Sequence, residues 1–141
     1  MQVNVYYKKH QGFHLIEILI VIAIVVVCAG ILLPMMSQYF VKEKRLEASA
    51  ALTKLSLAME DYHTKYNTYR DATLTALNFP QLIVKNNYRL FIEAASEDNY
   101  ILIAKPLAKQ AERDTACGDL SLTASGDKGI SGPAKVNECW G

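Results

Sequence analysis

Glu17 stands at the threshold of the most apolar stretch of the chain. From Ile18 to Met36 nineteen residues carry no charge, close to the ~20 that a membrane-spanning helix needs. An ionised acid is expensive in such surroundings, about 2.5–3.5 kcal/mol at mid-depth on the insertion scale and less near an edge. Lys8 and Lys9 precede the run, so the positive-inside rule places the N-terminus in the cytoplasm and everything from about Ser37 on the far side of the membrane. In a chain of 141 residues this leaves room for one small soluble domain of mixed charge. The formal charge of +1 argues against a strongly basic nucleic-acid binder and against an acidic tail.

Three simple readings of this N-terminus leave Glu17 an accident. A cleaved secretory signal could use Val27-Cys28-Ala29 as its small-residue site, but Glu17 would then fall at the edge of its apolar core. A lipoprotein signal would use Cys28, yet Val27 precedes it where a small residue is usual. A plain signal anchor would keep the segment without giving the acid a purpose. A fourth reading uses it. Lys8-Lys9, then Gly12, then Phe13-His14-Leu15-Ile16-Glu17, then an apolar run reaching Pro34, resembles the class III signal of type IV pilins and related pseudopilins. The resemblance implies that a prepilin peptidase removes residues 1–12 by cutting between Gly12 and Phe13, and that Phe13 becomes an N-methylated first residue. Glu17 is then the fifth mature residue, where this family carries its glutamate, and Pro34 matches the family's proline. His14 departs from the pattern, where Thr or Ser is more usual.

Cleavage would create a partner for the acid. A new α-amino group has a pKa near ~7.7, and methylation keeps its charge. Glu17 lies four residues after Phe13, one helical turn on, so its carboxylate faces its own helix N-terminus, worth ~0.3–1 kcal/mol. The resemblance implies a second role, compatible with the first: pairing with the Phe13 amine of a neighbouring subunit. A buried carboxylate left unpaired would cost ~3–5 kcal/mol, so such a pair penalises wrong axial registers in a filament core.

After Pro34 the chain continues with a stripe at Val41, Ala48, Leu52, Leu55, Met59, Tyr62 and Tyr66, with Lys42, Glu43, Arg45, Glu47, Lys54, Glu60 and Lys65 on the opposite side. That is helical periodicity. One helix is expected from Phe13 to about Tyr66, kinked or loosened near Gly30 and Pro34 because proline lacks an N–H and collides with the preceding turn. A coiled coil is the competing reading of the stripe, with barely four heptads to support it. Residues 67–87 read as a connecting loop with a helical turn around Leu74 to Leu77. Strands are expected at Tyr88–Ala95 and Tyr100–Pro106, joined by a turn at Ser96-Glu97-Asp98-Asn99, and at Asp119–Ala124. A turn at Gly126–Gly129 should lead to a short strand near Lys135 to Asn137. In an exported head Cys117 and Cys139, with twenty-one residues between them, are the plausible disulfide, contributing roughly 3 kcal/mol by loop closure. In a cytosolic protein they would be two free thiols. Cys28 behaves as a small hydrophobe in the apolar run.

The expected fold class is α+β, the type IV pilin fold: a long N-terminal helix whose first half spans the membrane, packed on a small antiparallel sheet. The segments are a leader (1–12), an apolar half-helix (13–36), an amphipathic half-helix (37–66) and a globular head (67–141) with its C-terminal loop closed by the cysteines. "DTACGDLSLTASGDKG" and the final "CW" also resemble a Gram-negative subgroup of small minor-type pilins, some of which bind DNA in natural transformation.

No catalytic constellation or cofactor motif is visible, so the expectation is not an enzyme. His10, His14 and His63 have no paired metal spacing, and Tyr62-His63 reads as a helix face. Gly126-Asp127-Lys128-Gly129 is too sparse for a phosphate loop. Asp114, Asp119 and Asp127 fit no EF-hand spacing and read as a solvated face. The leading function is a structural subunit of a type IV pilus, inserted in the inner membrane with its head periplasmic and then polymerised into an extracellular filament for motility, adhesion or DNA uptake. Its partners would be other pilin subunits, prepilin peptidase, the pilus assembly machinery and inner-membrane lipid. A type II secretion pseudopilin is the rival with the same architecture, and a merely anchored periplasmic protein another. A DNA receptor is the rival of a different class: Lys105, Lys109, Arg113, Lys128 and Lys135 could meet phosphates. Glu112, Asp114, Asp119, Asp127 and Glu138 interleave with them, and loss of Lys8 and Lys9 leaves 13 basic against 14 acidic residues.

Overall fold

Helix α1 runs over Leu15–Tyr66, passing through Pro34 without interruption. The computed structural model describes residues 14–141; the leader, Lys8 and Lys9, and the expected cleavage and methylation positions Gly12 and Phe13 lie outside them. The chain divides into two compact units, one ending at Ser37 and the other spanning Gln38–Gly141.

In the first unit the helix is apolar on every side and residues 14–36 are all exposed. Pro34 has no N–H to offer the Gly30 carbonyl, while the Pro34 carbonyl itself accepts from the Ser37 hydroxyl at 2.9 Å. In the second unit α1 becomes amphipathic. Val41, Ala48, Leu52, Leu55 and Met59 are buried as the stripe requires, whereas Tyr62 is half-buried and Tyr66 is exposed. Tyr62 packs at the edge of the core and donates its hydroxyl to the Arg70 carbonyl at 3.1 Å, and its ring centroid lies 4.5 Å from that of Tyr66. Ser49 is buried beside the stripe because its hydroxyl is satisfied by the Leu46 carbonyl at 2.9 Å.

The sheet is a meander of five antiparallel strands in the order β1-β2-β3-β4-β5: β1 (Leu82–Ile83), β2 (Tyr88–Ala95), β3 (Tyr100–Pro106), β4 (Leu120–Thr123) and β5 (Lys128–Ile130). Period-2 alternation drives it. Tyr88 and Leu90 of β2, Leu102 and Ala104 of β3, and Leu120 and Leu122 of β4 are buried and share one core with the α1 stripe. Each fully buried leucine contributes about 1.5–3 kcal/mol.

Three elements differ from the sequence reading. The segment 67–87 holds the two-residue strand β1, while the turn expected around Leu74 to Leu77 is present, with the Leu77 N–H donating to the Thr73 carbonyl at 3.0 Å. Helix α2 (Ala108–Arg113) follows β3 directly. The strand expected near Lys135–Asn137 is instead the start of α3 (Val136–Trp140), and the extended segment lies earlier, at β5. The reason lies in what the tail must reach. Cys139 is bonded to Cys117, with Cα atoms 5.7 Å apart, and the Trp140 indole N–H donates to the Gly129 carbonyl at 3.0 Å. A helical turn presents both side chains inward, where both are buried. Gly132 passes against the Ala116 carbonyl with no room for a Cβ, and Gly118 adopts φ +63, so the loop needs both glycines.

Candidate functional site

Two surfaces of this chain are unusual, one on each unit. The first is the bare half-helix. Leu15 is 77% and Leu33 69% exposed, and a contiguous apolar surface of this extent marks contact with lipid or another protein. Glu17 lies in its first turn, with its own N–H donating to the His14 carbonyl at 2.9 Å. Neither of the two ion pairs among the described residues involves it.

The second surface is the face of the sheet turned away from α1. Residues alternate across a strand, so burying Tyr88, Leu90, Leu102 and Ala104 puts Arg89, Phe91, Ile103 and Lys105 on the other side. The β2–β3 register places Arg89 directly opposite Lys105 and Phe91 opposite Ile103. Both cations are exposed, and no carboxylate lies within ion-pair distance of either among the described residues. Like charges directly opposite destabilise a sheet, so this pair weakens the fold it sits on. Beside it is a shallow recess of about 270 Å³ lined by Phe91, Ile92, Glu93, Ile103, Lys105 and Asp119.

Two polar networks, one buried and one at the edge of the core, join these strands to the helix. In the first, Asp114 Oδ2 accepts from Arg45 Nε at 3.0 Å, from the Tyr88 hydroxyl at 3.0 Å and from Gln110 Nε2 at 3.1 Å. Gln110 Nε2 also lies 3.1 Å from the Val41 carbonyl. One carboxylate thus ties α1, β2 and α2 together. Burial pushes the Tyr88 phenol well above its ordinary value, and the neighbouring Asp114 charge adds to the shift. In the second, the Glu60 carboxylate accepts from the Tyr69 hydroxyl at 2.9 Å and from the Tyr100 hydroxyl at 3.1 Å. Burial and this carboxylate push the Tyr69 phenol up to about 12.

This geometry corrects one element of the sequence reading. Asp114 is not part of a solvated face, since it is 2% exposed and consumed by its three donors. It therefore does not offset surface cations. Asp127 accepts instead from the Ser125 hydroxyl at 2.6 Å, and among the described residues no three His, Cys, Asp or Glu side chains gather to hold a metal ion.

The five cations named from sequence are spread over four places in the fold. Lys105 lies on β3, Lys109 and Arg113 on α2, Lys128 on β5 with Nζ 5.2 Å from the Trp140 ring centroid, and Lys135 just before α3. Lys105 finds a neighbour that was not among them, Arg89. The signal was available in the alternation of "YRLFIEAA" and the four-residue turn after it, which together set the register.

Residues 34–121, covering α1 from Pro34 and the sheet as far as the start of β4, match the family described as type IV minor pilin ComP, DNA uptake sequence receptor. The chain belongs to this family. As a type IV minor pilin it is also similar to the type IV major pilin protein PilA of Myxococcus xanthus strain DK1622, with 26% identity over 136 residues. That alignment covers 96% of this chain but 61% of the relative, so the chain spans less than two thirds of the relative's length. A crystal structure of the Neisseria meningitidis non-core minor pilin PilV superimposes on 64% of this chain and 88% of its own, with a TM-score of 0.47 and 22% identity.

Proposed function

We propose that this minor pilin is made with a leader that prepilin peptidase removes between Gly12 and Phe13, and that the bare half-helix first holds it in the inner membrane and then packs in a filament core. The head faces the periplasm before assembly and solvent outside the cell afterwards. The observation that carries this reading is the exposure of every residue from 14 to 36 in a helix with a single acid near its start. Glu17 then pairs with the methylated Phe13 amine of the adjacent subunit, and Pro34 is where the helix yields to fit the packing. Substitution of Glu17 tests the reading, because one change should ease membrane insertion and oppose assembly.

A second reading is favoured by a specific observation. The matched family is described as a DNA uptake sequence receptor, and the outer sheet face carries two adjacent cations that form no ion pair among the described residues. Two neighbouring phosphates bound to Arg89 and Lys105 would relieve the cross-strand repulsion and release counterions. The head is thus a DNA receptor displayed on the pilus. Its test is the salt dependence of duplex binding by the full chain in non-ionic detergent. Arg89→Ala and Lys105→Ala should each lower the magnitude of the log K against log salt slope by about 1. A double variant with unchanged affinity and slope would remove this face from the receptor.

A further inference from the structure

The cation pair does not sit in a uniformly basic field, and its acidic neighbours are placed where they oppose phosphate binding. Asp119 immediately precedes Leu120, the register partner of Ala104, so it lies beside Lys105 about one strand spacing (about 4.8 Å) away. It lines the same recess as Lys105. Glu93 lines that recess too, and it falls at the break in the β2–β3 register between Ile92 and Ala94, where it has no partner across the ladder. Bulges of this kind re-aim a side chain next to functional sites. Neither carboxylate makes a hydrogen bond or ion pair among the described residues, and neither supports the fold through one. Asp119 engages Ser131 only through its backbone.

We infer that Glu93 and Asp119 are specificity-determining residues that read base edges while Arg89 and Lys105 hold the phosphates. This rests on the DNA-receptor reading above. A carboxylate accepts hydrogen bonds only, so it is repelled by phosphate and satisfied by an exposed amino group, with cytosine N4–H the usual partner. Two acceptors beside a phosphate clamp therefore lower the affinity for DNA at large and reward duplexes that present an amino group at the right step. An amide at the same position reads adenine instead, through its N6 and N7.

The experiment is selection from a pool of random-sequence duplexes by the full chain in non-ionic detergent, repeated with Asp119→Asn and with Glu93→Gln. Both variants should unfold at the wild-type temperature, since neither side chain has a partner to lose. The wild type should enrich a motif containing cytosine. Each variant should exchange cytosine for adenine at one position, with about 10-fold discrimination there, while its affinity for unselected duplex holds or rises. Enrichment of the same motif by the wild type and both variants would overturn the inference. Salt-dependent binding by the wild type with no motif at all would overturn it while leaving the receptor reading intact. Absence of any duplex binding would remove both.

Discussion

Glu17→Gln should give a chain that is inserted and processed as before but is missing from filaments. The two steps respond to this change in opposite senses. Neutralising an acid near the edge of the span removes a cost of up to about 2.5–3.5 kcal/mol from membrane insertion, so the precursor should accumulate in membranes at least as well as the wild type. In the proposed filament core the same change would strip the Phe13 amine of its counter-charge. A buried charge without a partner costs about 3–5 kcal/mol, which weakens each subunit contact by roughly 10²–10⁴-fold. Immunoblots of the membrane and sheared-filament fractions separate the outcomes. Equal amounts of variant and wild type in filaments would make Glu17 an incidental acid at a helix start, and the bare half-helix would need another reason to carry it.

The second large effect belongs to the head. Asp114→Ala should cost about 3–5 kcal/mol, because it leaves the Arg45 guanidinium, only 13% exposed, without its partner. A domain of this size has a total stability of the order of 5–15 kcal/mol, and each kcal/mol moves the midpoint by about 4–8 °C. A fall of at least about 12 °C is therefore expected. Near-UV circular dichroism of Trp140, the single tryptophan, follows the transition. Asp127→Ala, whose carboxylate is at the surface, should stay within about 0.5 kcal/mol of wild type. The double variant Arg45→Met with Asp114→Ala should recover only part of the loss, since it leaves no buried charge while the Tyr88 hydroxyl and the Gln110 amide still lack their acceptor. If Asp114→Ala were as silent as Asp127→Ala, the network joining α1, β2 and α2 would not be what seats the helix on the sheet.

These two acids also mark what can be read from the chain without its structure. Glu17 declares itself because an acid at the edge of nineteen uncharged residues conflicts with its neighbours at once. Asp114 gives no such sign. It lies among other charged residues in "AERDTACGD", and only the turn made by α2 carries it inward to Arg45, far away in sequence. The strands β2 and β3 were legible to the residue because alternation and the Ser96–Asn99 turn bound them on both sides. β1 was not, since two residues cannot show a period. The C-terminal segment is not legible in sequence, because its conformation is imposed from outside, by Cys117 and by the Gly129 carbonyl, and local propensity says nothing of either. Arg89 was legible as an exposed strand residue but not as half of a pair. A cross-strand partner is a property of register, and register emerges only when turn and bulge are placed together.

The most direct test of the central claim is the intact mass and N-terminal sequence of the chain recovered from sheared filaments. The account predicts a chain that begins at methylated Phe13 and carries Cys117 and Cys139 oxidised. A chain that begins at Met1, or one cut after Ala29, would contradict the assembly account and leave an anchored or secreted domain in its place.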